Sequence, residues 1–222
     1  MIERAVGSVI VLGAVRGLVA DGDRVRTRLE AGRPNAVGLA VSEDELRGLR
    51  EYFVDAATEP VVPLAPTEAA EIRALARYGD VGVPNPSVLA AIRWADATKA
   101  PVSALDPSDD EYSSMFARSI GYFELVRRTL RERSAGKRPP AAADADAFSL
   151  AWSRTIEPGA GSRRLRAQRD TVVAEGVERM RARFSSLAVV VDRERFDGVV
   201  ELLADGPPLV RTAPDGGGGA SH

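Results

Sequence analysis

Aspartates, glutamates and arginines are the residues through which this chain could do chemistry. Asp106 ends a short apolar run and is followed by Asp109, Asp110 and Glu111. Oxygen donors that close in sequence could hold a hard cation. The opening of a helix explains the same spacing more simply, because acids are favoured at a helix N-terminus. Arg16 follows directly on the first apolar run, and ligands of open α/β sheets collect beyond strand ends. The cluster Arg127, Arg128, Arg131, Arg133, Lys137 and Arg138 could touch an acidic partner, and reads more simply as a solvated helix end.

Absent residue types narrow the chemistry further. There is no cysteine, and the single histidine is His222, the last residue. Disulfides, thiolate metal sites and cysteine nucleophiles are excluded, and the folded part is left without an imidazole. Serines such as Ser8, Ser103 and Ser113 therefore lack a histidine base to activate them. Gly13-Ala14-Val15-Arg16-Gly17 is neither a dinucleotide-binding fingerprint nor a phosphate-cradling loop.

The elements that must position these residues follow from periodicity and punctuation. Four apolar runs read as buried strands, at 8–13, 36–41, 101–106 and 187–192, and 208–212 reads as a last edge strand. Helices are predicted over 24–31 with Asp23 as cap, and from a capping box at Ser42 and Glu45. Thr67 is expected to cap the next helix, with Ile72, Leu75 and Ala76 as its apolar stripe, and a further helix covers 87–98. One long helix is expected from 107 to 133, then an exposed hinge over 134–145. Helices over 147–155, 162–183 and 193–204 complete the set, with Trp94 and Trp152 as core or interface anchors. The whole reads as one α/β domain over 1–212, a mixed central sheet covered by helices, with a disordered glycine-rich tail over 213–222.

The chain has 222 residues, 45% hydrophobic and 28% charged, with a net charge of -2. That composition is ordinary for a globular protein, and the overall charge points to neither nucleic acid nor a membrane surface. No apolar run reaches the roughly 20 residues of a membrane helix, and a cytoplasmic, soluble protein is the simplest expectation.

Three blocks resemble the TraB/PrgY family, relatives of the TIKI proteases. Val9 to Leu18 is similar to that family's opening strand and G-x-x-H turn, continuing through Arg33-Pro34-Asn35-Ala36-Val37 where the family leads to a glutamate. Ala104-Leu105-Asp106-Pro107 resembles a second strand end. Gln168-Arg169-Asp170 with Leu187 to Val199 resembles the family's E-R-D helix and its closing v-G-x-x-H-x-x-G strand and turn. The resemblance implies the family's α/β fold and a metal-dependent hydrolase ancestry. It also implies loss of the metal site. The family's first histidine falls on Arg16, its glutamate on or beside Ala40, and its final histidine on Arg195, with Gly13 and Gly198 retained. Arginine is a permanent cation and does not ordinarily coordinate a divalent metal.

Under that resemblance Arg16 and Arg195 lie at the ends of neighbouring strands, with Arg169 and Asp170 on the preceding helix. Two arrangements are open. Arg16, Arg169 and Arg195 could converge into a site for phosphate or carboxylate, supported by Gly13, Asp106, Asp170, Glu194 and Gly198. Alternatively Arg16 and Arg195 pair with Asp170, Asp192 or Glu194 and close a dead site. The expected function is a non-catalytic binding or regulatory domain with no cofactor, partnered by itself as a homodimer, by an unknown protein or by a small anion. The rival is a hydrolase holding Mg²⁺ or Mn²⁺ on Asp106, Asp170, Asp192 and Glu194.

Overall fold

The computed structural model describes residues 1–54 and 64–205. One five-stranded sheet runs in the order β1 (Ile2–Val6), β2 (Val9–Ala14), β5 (Leu187–Asp192), β3 (Ala36–Leu39) and β4 (Val102–Ala104). β1 is antiparallel to β2, and all other neighbours are parallel. The sheet is therefore mixed and the class α/β, as the sequence pattern predicts.

Side-chain alternation distributes the strands between two cores. Leu12, Ala14, Val37, Leu39, Ala188 and Val190 face α1 (Val19–Gly32), α2 (Glu43–Val54) and α4 (Pro86–Thr98). Val9, Val11, Leu187, Val189 and Val191 face α8 (Ala160–Arg181) and α9 (Phe196–Asp205). β5 lies in the middle with its first five residues buried, which is why its sequence is a nearly unbroken run of Leu, Ala and Val. A third apolar cluster joins Val15 and Leu18 of the β2–α1 turn to α3 (Pro66–Leu75), α6 (Tyr122–Lys137) and α7 (Ala145–Ile156). Those helices cover the carboxyl edge of the parallel strands, where the residues following β2, β3, β4 and β5 come together.

Several expectations are corrected. β1 was not foreseen as a strand, because its exposed Glu3, Arg4 and Ala5 give it only two partly buried apolar ends. α1 starts at Val19, well before Asp23, and its buried acid is Asp21, whose Oδ2 accepts the Val15 N–H at 2.8 Å and fixes the turn carrying Arg16. Thr67 caps nothing: α3 opens on Pro66 after Ala65. The α3 stripe is Ala74 and Leu75, while Ala76 is exposed. Ser42 does accept the Glu45 N–H at 3.1 Å, but Glu45 makes no return bond among the described residues.

The expected long helix is two helices, α5 (Asp109–Ser119) and α6, broken at Ile120-Gly121. The break has a structural use. It aims Glu124 of α6 at the start of α8, where its carboxylate accepts the N–H groups of Gly161 and Ser162 at 3.1 and 2.8 Å. Those are donors a helix cannot satisfy internally. The expected hinge is in part the end of α6, whose Ala135 is buried. α5 itself starts with a reciprocal Ser108–Glu111 capping box, which accounts for its acidic opening. The expected edge strand at 208–212 and the tail at 213–222 lie outside the described residues.

Gly13 shows how closely the site is built against the sheet. A Cβ there would lie 2.6 Å from the ring of Phe196, the first residue of α9. Gly13→Ala is expected to destabilise the fold by roughly 1–3 kcal/mol, the usual cost of overpacking. Urea unfolding measures it, and Phe196→Leu in the Gly13→Ala background should recover part of the loss.

Candidate functional site

The site lies at the carboxyl ends of the parallel strands, between the helices of the two faces, where open α/β sheets bind ligands. Arg16 leaves β2 and Arg195 ends the turn between β5 and α9. Asp106 follows β4, and Arg169 and Asp170 come from the middle of α8. Parallel pairing of β2 with β5, with Ala14 opposite Asp192, brings the first two into one neighbourhood.

Arg195 is the centre of this group. Its side chain is 3% exposed, its Nε donates to Asp170 Oδ1 at 2.8 Å, and its Nη1 donates to Asp106 Oδ2 at 2.9 Å. Arg169 closes the cluster from the other side: it ion-pairs with Asp106, its Nε donating to Oδ1 at 3.3 Å, and its guanidinium lies 5.3 Å from the centre of the Tyr112 ring. Gly198 makes room for the arrangement, because a Cβ there would lie 2.6 Å from Asp170 Oδ2. Burial pushes the Asp170 carboxyl up despite the opposing pull of Arg195. The third nitrogen of Arg195, Nη2, is buried and has no partner.

Arg16 is placed differently. Its Nη2 donates to Asp192 at 3.1 Å, its Nη1 lies 3.9 Å from Glu68, and its side chain is 38% exposed. Asp192 holds the guanidinium in its charged form, well above the ordinary range. Both arrangements foreseen for the arginines are thus realised in part. Three guanidiniums converge, and each has a carboxylate, yet Arg195 keeps a donor unused.

These groups line a cavity of about 240 Å³. Arg16, Arg169, Asp192, Glu194 and Arg195 are in its wall, joined by Glu71, Tyr112, Arg128, Ser149, Trp152 and Arg166. A larger groove of about 460 Å³ beside α1 and α4 is walled mainly by apolar residues such as Pro84, Pro86, Leu89 and Trp94. The smaller cavity is distinguished by the density of convergent charge. Asp106 and Asp170 stand behind the arginines as counter-ions, and Gly13 supports the wall through Phe196.

Glu71 of α3 and Glu194 were not both legible as site residues: Glu194 was named, Glu71 was missed. Its one signal is an acid next to the apolar stripe of its helix. In the structure it makes no hydrogen bond or ion pair among the described residues, and burial, then repulsion from Glu194, pushes its carboxyl up to about 8. Glu194 accepts from the Ser149 hydroxyl at 3.3 Å and is likewise pushed up, by burial first and Asp192 second. Tyr112, Ser149 and Arg166 were also missed, since only the tertiary fold gathers them. Trp152 was foreseen as a core anchor and is both buried and part of the wall.

Asp106, Asp170 and Asp192 each pair with an arginine. Among the described residues no group of three His, Cys, Asp or Glu side chains is placed to hold a metal ion. No helix among them is long and apolar enough to cross a membrane. No family model matches the chain, and no curated protein matches it.

The raised Glu71 carboxyl sets a pH dependence of stability. Its native pKa lies above the ordinary carboxylate value, so the folded state binds more protons than the unfolded chain between those two values. Its contribution therefore falls as pH rises from about 4.5 to about 8. Glu71→Gln is expected to flatten that decline in melting temperature, measured at matched ionic strength across the same range.

Proposed function

We propose that this chain is a TraB-like domain without the metal chemistry of that family, acting as a non-catalytic binding protein for a small ligand with an anionic group. The observation that carries the reading is Arg195 Nη2, a buried guanidinium donor without a partner on a residue that lines the cavity. A buried donor left unmade costs about 1–3 kcal/mol, more for a charged group. An acceptor in the cavity recovers that cost once the Arg195 guanidinium turns toward it, and an anionic acceptor suits a guanidinium best.

The TraB-like affiliation draws support from the same place. Residues of all three resembling blocks, namely Gly13 and Arg16, Asp106, and Arg169-Asp170 with Arg195 and Gly198, gather around one crevice although they are far apart in sequence. Where the family places histidines this chain places cations, which exchanges affinity for a metal for affinity toward an anion. A carboxylate-based hydrolase is the weaker reading, because its three aspartates are already neutralised by arginines.

Thermal shifts against inorganic phosphate, sulfate, acetate and propionate test the proposal. A ligand at a hundredfold excess over its dissociation constant adds about 2.7 kcal/mol, roughly 5–10 °C for a chain of this size. At least one of these anions is expected to raise the melting temperature, and Arg195→Met should abolish the shift. Arg26→Ala, on the exposed face of α1 and outside the cavity wall, serves as a folded control that retains it. No shift with any anion, or a shift that persists in folded Arg195→Met, overturns the reading.

A further inference from the structure

The cavity has two kinds of wall. One carries the unused donor of Arg195. The other carries Glu71, uncommitted to any hydrogen bond or ion pair among the described residues, and Glu194, which accepts from the Ser149 hydroxyl and from its own backbone N–H. A simple anion satisfies the first wall and is repelled by the second. A simple cation has the opposite difficulty. We propose that the ligand is a zwitterion of amino-acid size, its carboxylate on Arg195 and its ammonium on Glu71 and Glu194. The inference rests on the anion reading of the cavity and narrows it to a ligand class.

Size and polarity agree with this assignment. About 240 Å³ is space enough for a molecule of amino-acid size. The two acids come from different elements, α3 and the β5–α9 turn, so an ammonium between them ties the covering helix to the sheet. The charged groups that act on Glu71 are Arg16, Asp192, Glu68 and Glu194. Three of the four are acids, so a positive group beside Glu71 relieves repulsion as it binds. Arg16 is already engaged by Asp192 and Glu68, which leaves the ligand to supply that charge.

The test compares halves with the whole. The common L-amino acids, each tested singly at pH 8.5, are set against propionate, acetate and methylammonium by thermal shift and calorimetric titration. At least one amino acid is expected to bind ten times more tightly than either half-ligand. Glu71→Gln should bring that amino acid down to the level of propionate without weakening propionate itself. If propionate binds as tightly as every amino acid in the natural protein, the zwitterion is wrong and the anion reading stands. If no carboxylate binds, the zwitterion falls, and the anion reading falls with it when phosphate and sulfate fail too. The comparison of ligands on the natural protein decides the matter even where the variant does not fold.

A separate observation concerns the surface of α6. Tyr122, Phe123, Leu125, Val126 and Leu130 are 75, 80, 42, 42 and 60% exposed, and no other element among the described residues exposes a large apolar side chain to this degree. On a helix of 3.6 residues per turn, Tyr122, Val126, Leu130 and Phe123 fall within an arc of about 100°, with Arg133 and Lys137 inside it and Arg127 about 40° beyond its edge. The acids of the helix are spent elsewhere: Glu124 on the start of α8, and Glu132 on Arg128 at 2.9 Å. The near-zero charge of the whole chain conceals a face that is apolar and cationic at once.

We infer that this face docks on an anionic lipid surface, the helix lying in the plane of the headgroups. That is the pattern of interfacial helices, with apolar residues immersed and Lys and Arg at the boundary. A second copy fits poorly, since the charged groups of this face, Arg133 and Lys137, are both cations and a second copy of the face offers them no acid. Sedimentation with vesicles of phosphatidylcholine, alone and mixed with phosphatidylserine, reads the outcome. The protein is expected to sediment only with the anionic vesicles, less so at high salt. Arg133→Ala should weaken binding roughly fivefold, and Phe123→Ser with Leu130→Ser should abolish it; all three side chains are exposed, so the fold is spared. No sedimentation, or binding indifferent to these changes, overturns the inference. So does a dimer by analytical ultracentrifugation that the serine variant dissolves, or an acidic protein that competes where vesicles do not bind.

Discussion

A guanidinium taken out of water must be compensated, and the carboxyl end of this sheet is arranged around that requirement. Arg195 is inserted between Asp106 and Asp170, and Arg169 reaches Asp106 from the flank. The partners come from the end of β4, the middle of α8 and the start of α9, so the cluster ties together elements that the chain separates widely. Removing one member of a buried pair leaves an uncompensated charge, typically a loss of 3–5 kcal/mol. The position of α8 across the sheet and the angle at which α9 leaves β5 are thus fixed by charge as well as by packing. Gly198 and Gly13 are small for the same reason: one lets the Asp170 carboxylate in, the other seats the Phe196 ring that follows Arg195.

What the sequence made legible is what local physics decides. The runs at Val9–Ala14 and Leu187–Asp192 could only be buried strands, because few other settings accept such continuous aliphatic stretches. The acidic opening of α5 followed from helix geometry, and so did most of the apolar stripe expected on α8: of Leu165, Val172, Val173, Val177 and Met180, all but the half-buried Val172 are buried. The break between α5 and α6 was not legible. Nothing nearby demands it, since its cause is the start of α8, some forty residues on, which needs the Glu124 carboxylate. β1 was missed because an edge strand with one partner tolerates charges that a central strand does not.

The site divides along the same line. Arg16 and Asp106 could be named from the sequence because they stand at strand ends, whereas Arg169, Asp170, Arg195 and both glycines were named through the resemblance to TraB/PrgY motifs. Glu71 could not. Its raised carboxyl is created by burial and by a neighbour more than a hundred positions away, and no local pattern records either. Tyr112 belongs to the same class. It is an ordinary residue of an exposed-looking helix until the fold lays Arg169 over its ring.

A buried ion cluster is a weak way to stabilise a protein, since well-packed apolar residues of the same volume often do as well or better. Arg195 makes the point sharper, because it is not even fully satisfied. Two of its nitrogens are held rigidly by carboxylates, and the third is buried without a partner. Stability alone would favour closing that position with a third acceptor or with an apolar side chain, and Glu71 shows the same neglect on the opposite wall. A buried donor and a half-buried acid, both uncommitted and both on residues that line one cavity, are each a cost to the folded chain. Those costs are offset together only by a guest that brings an acceptor for the arginine and a donor for the acids. The proposed zwitterion is such a guest: polar at both ends, opposite in sign, and short enough to span one small cavity.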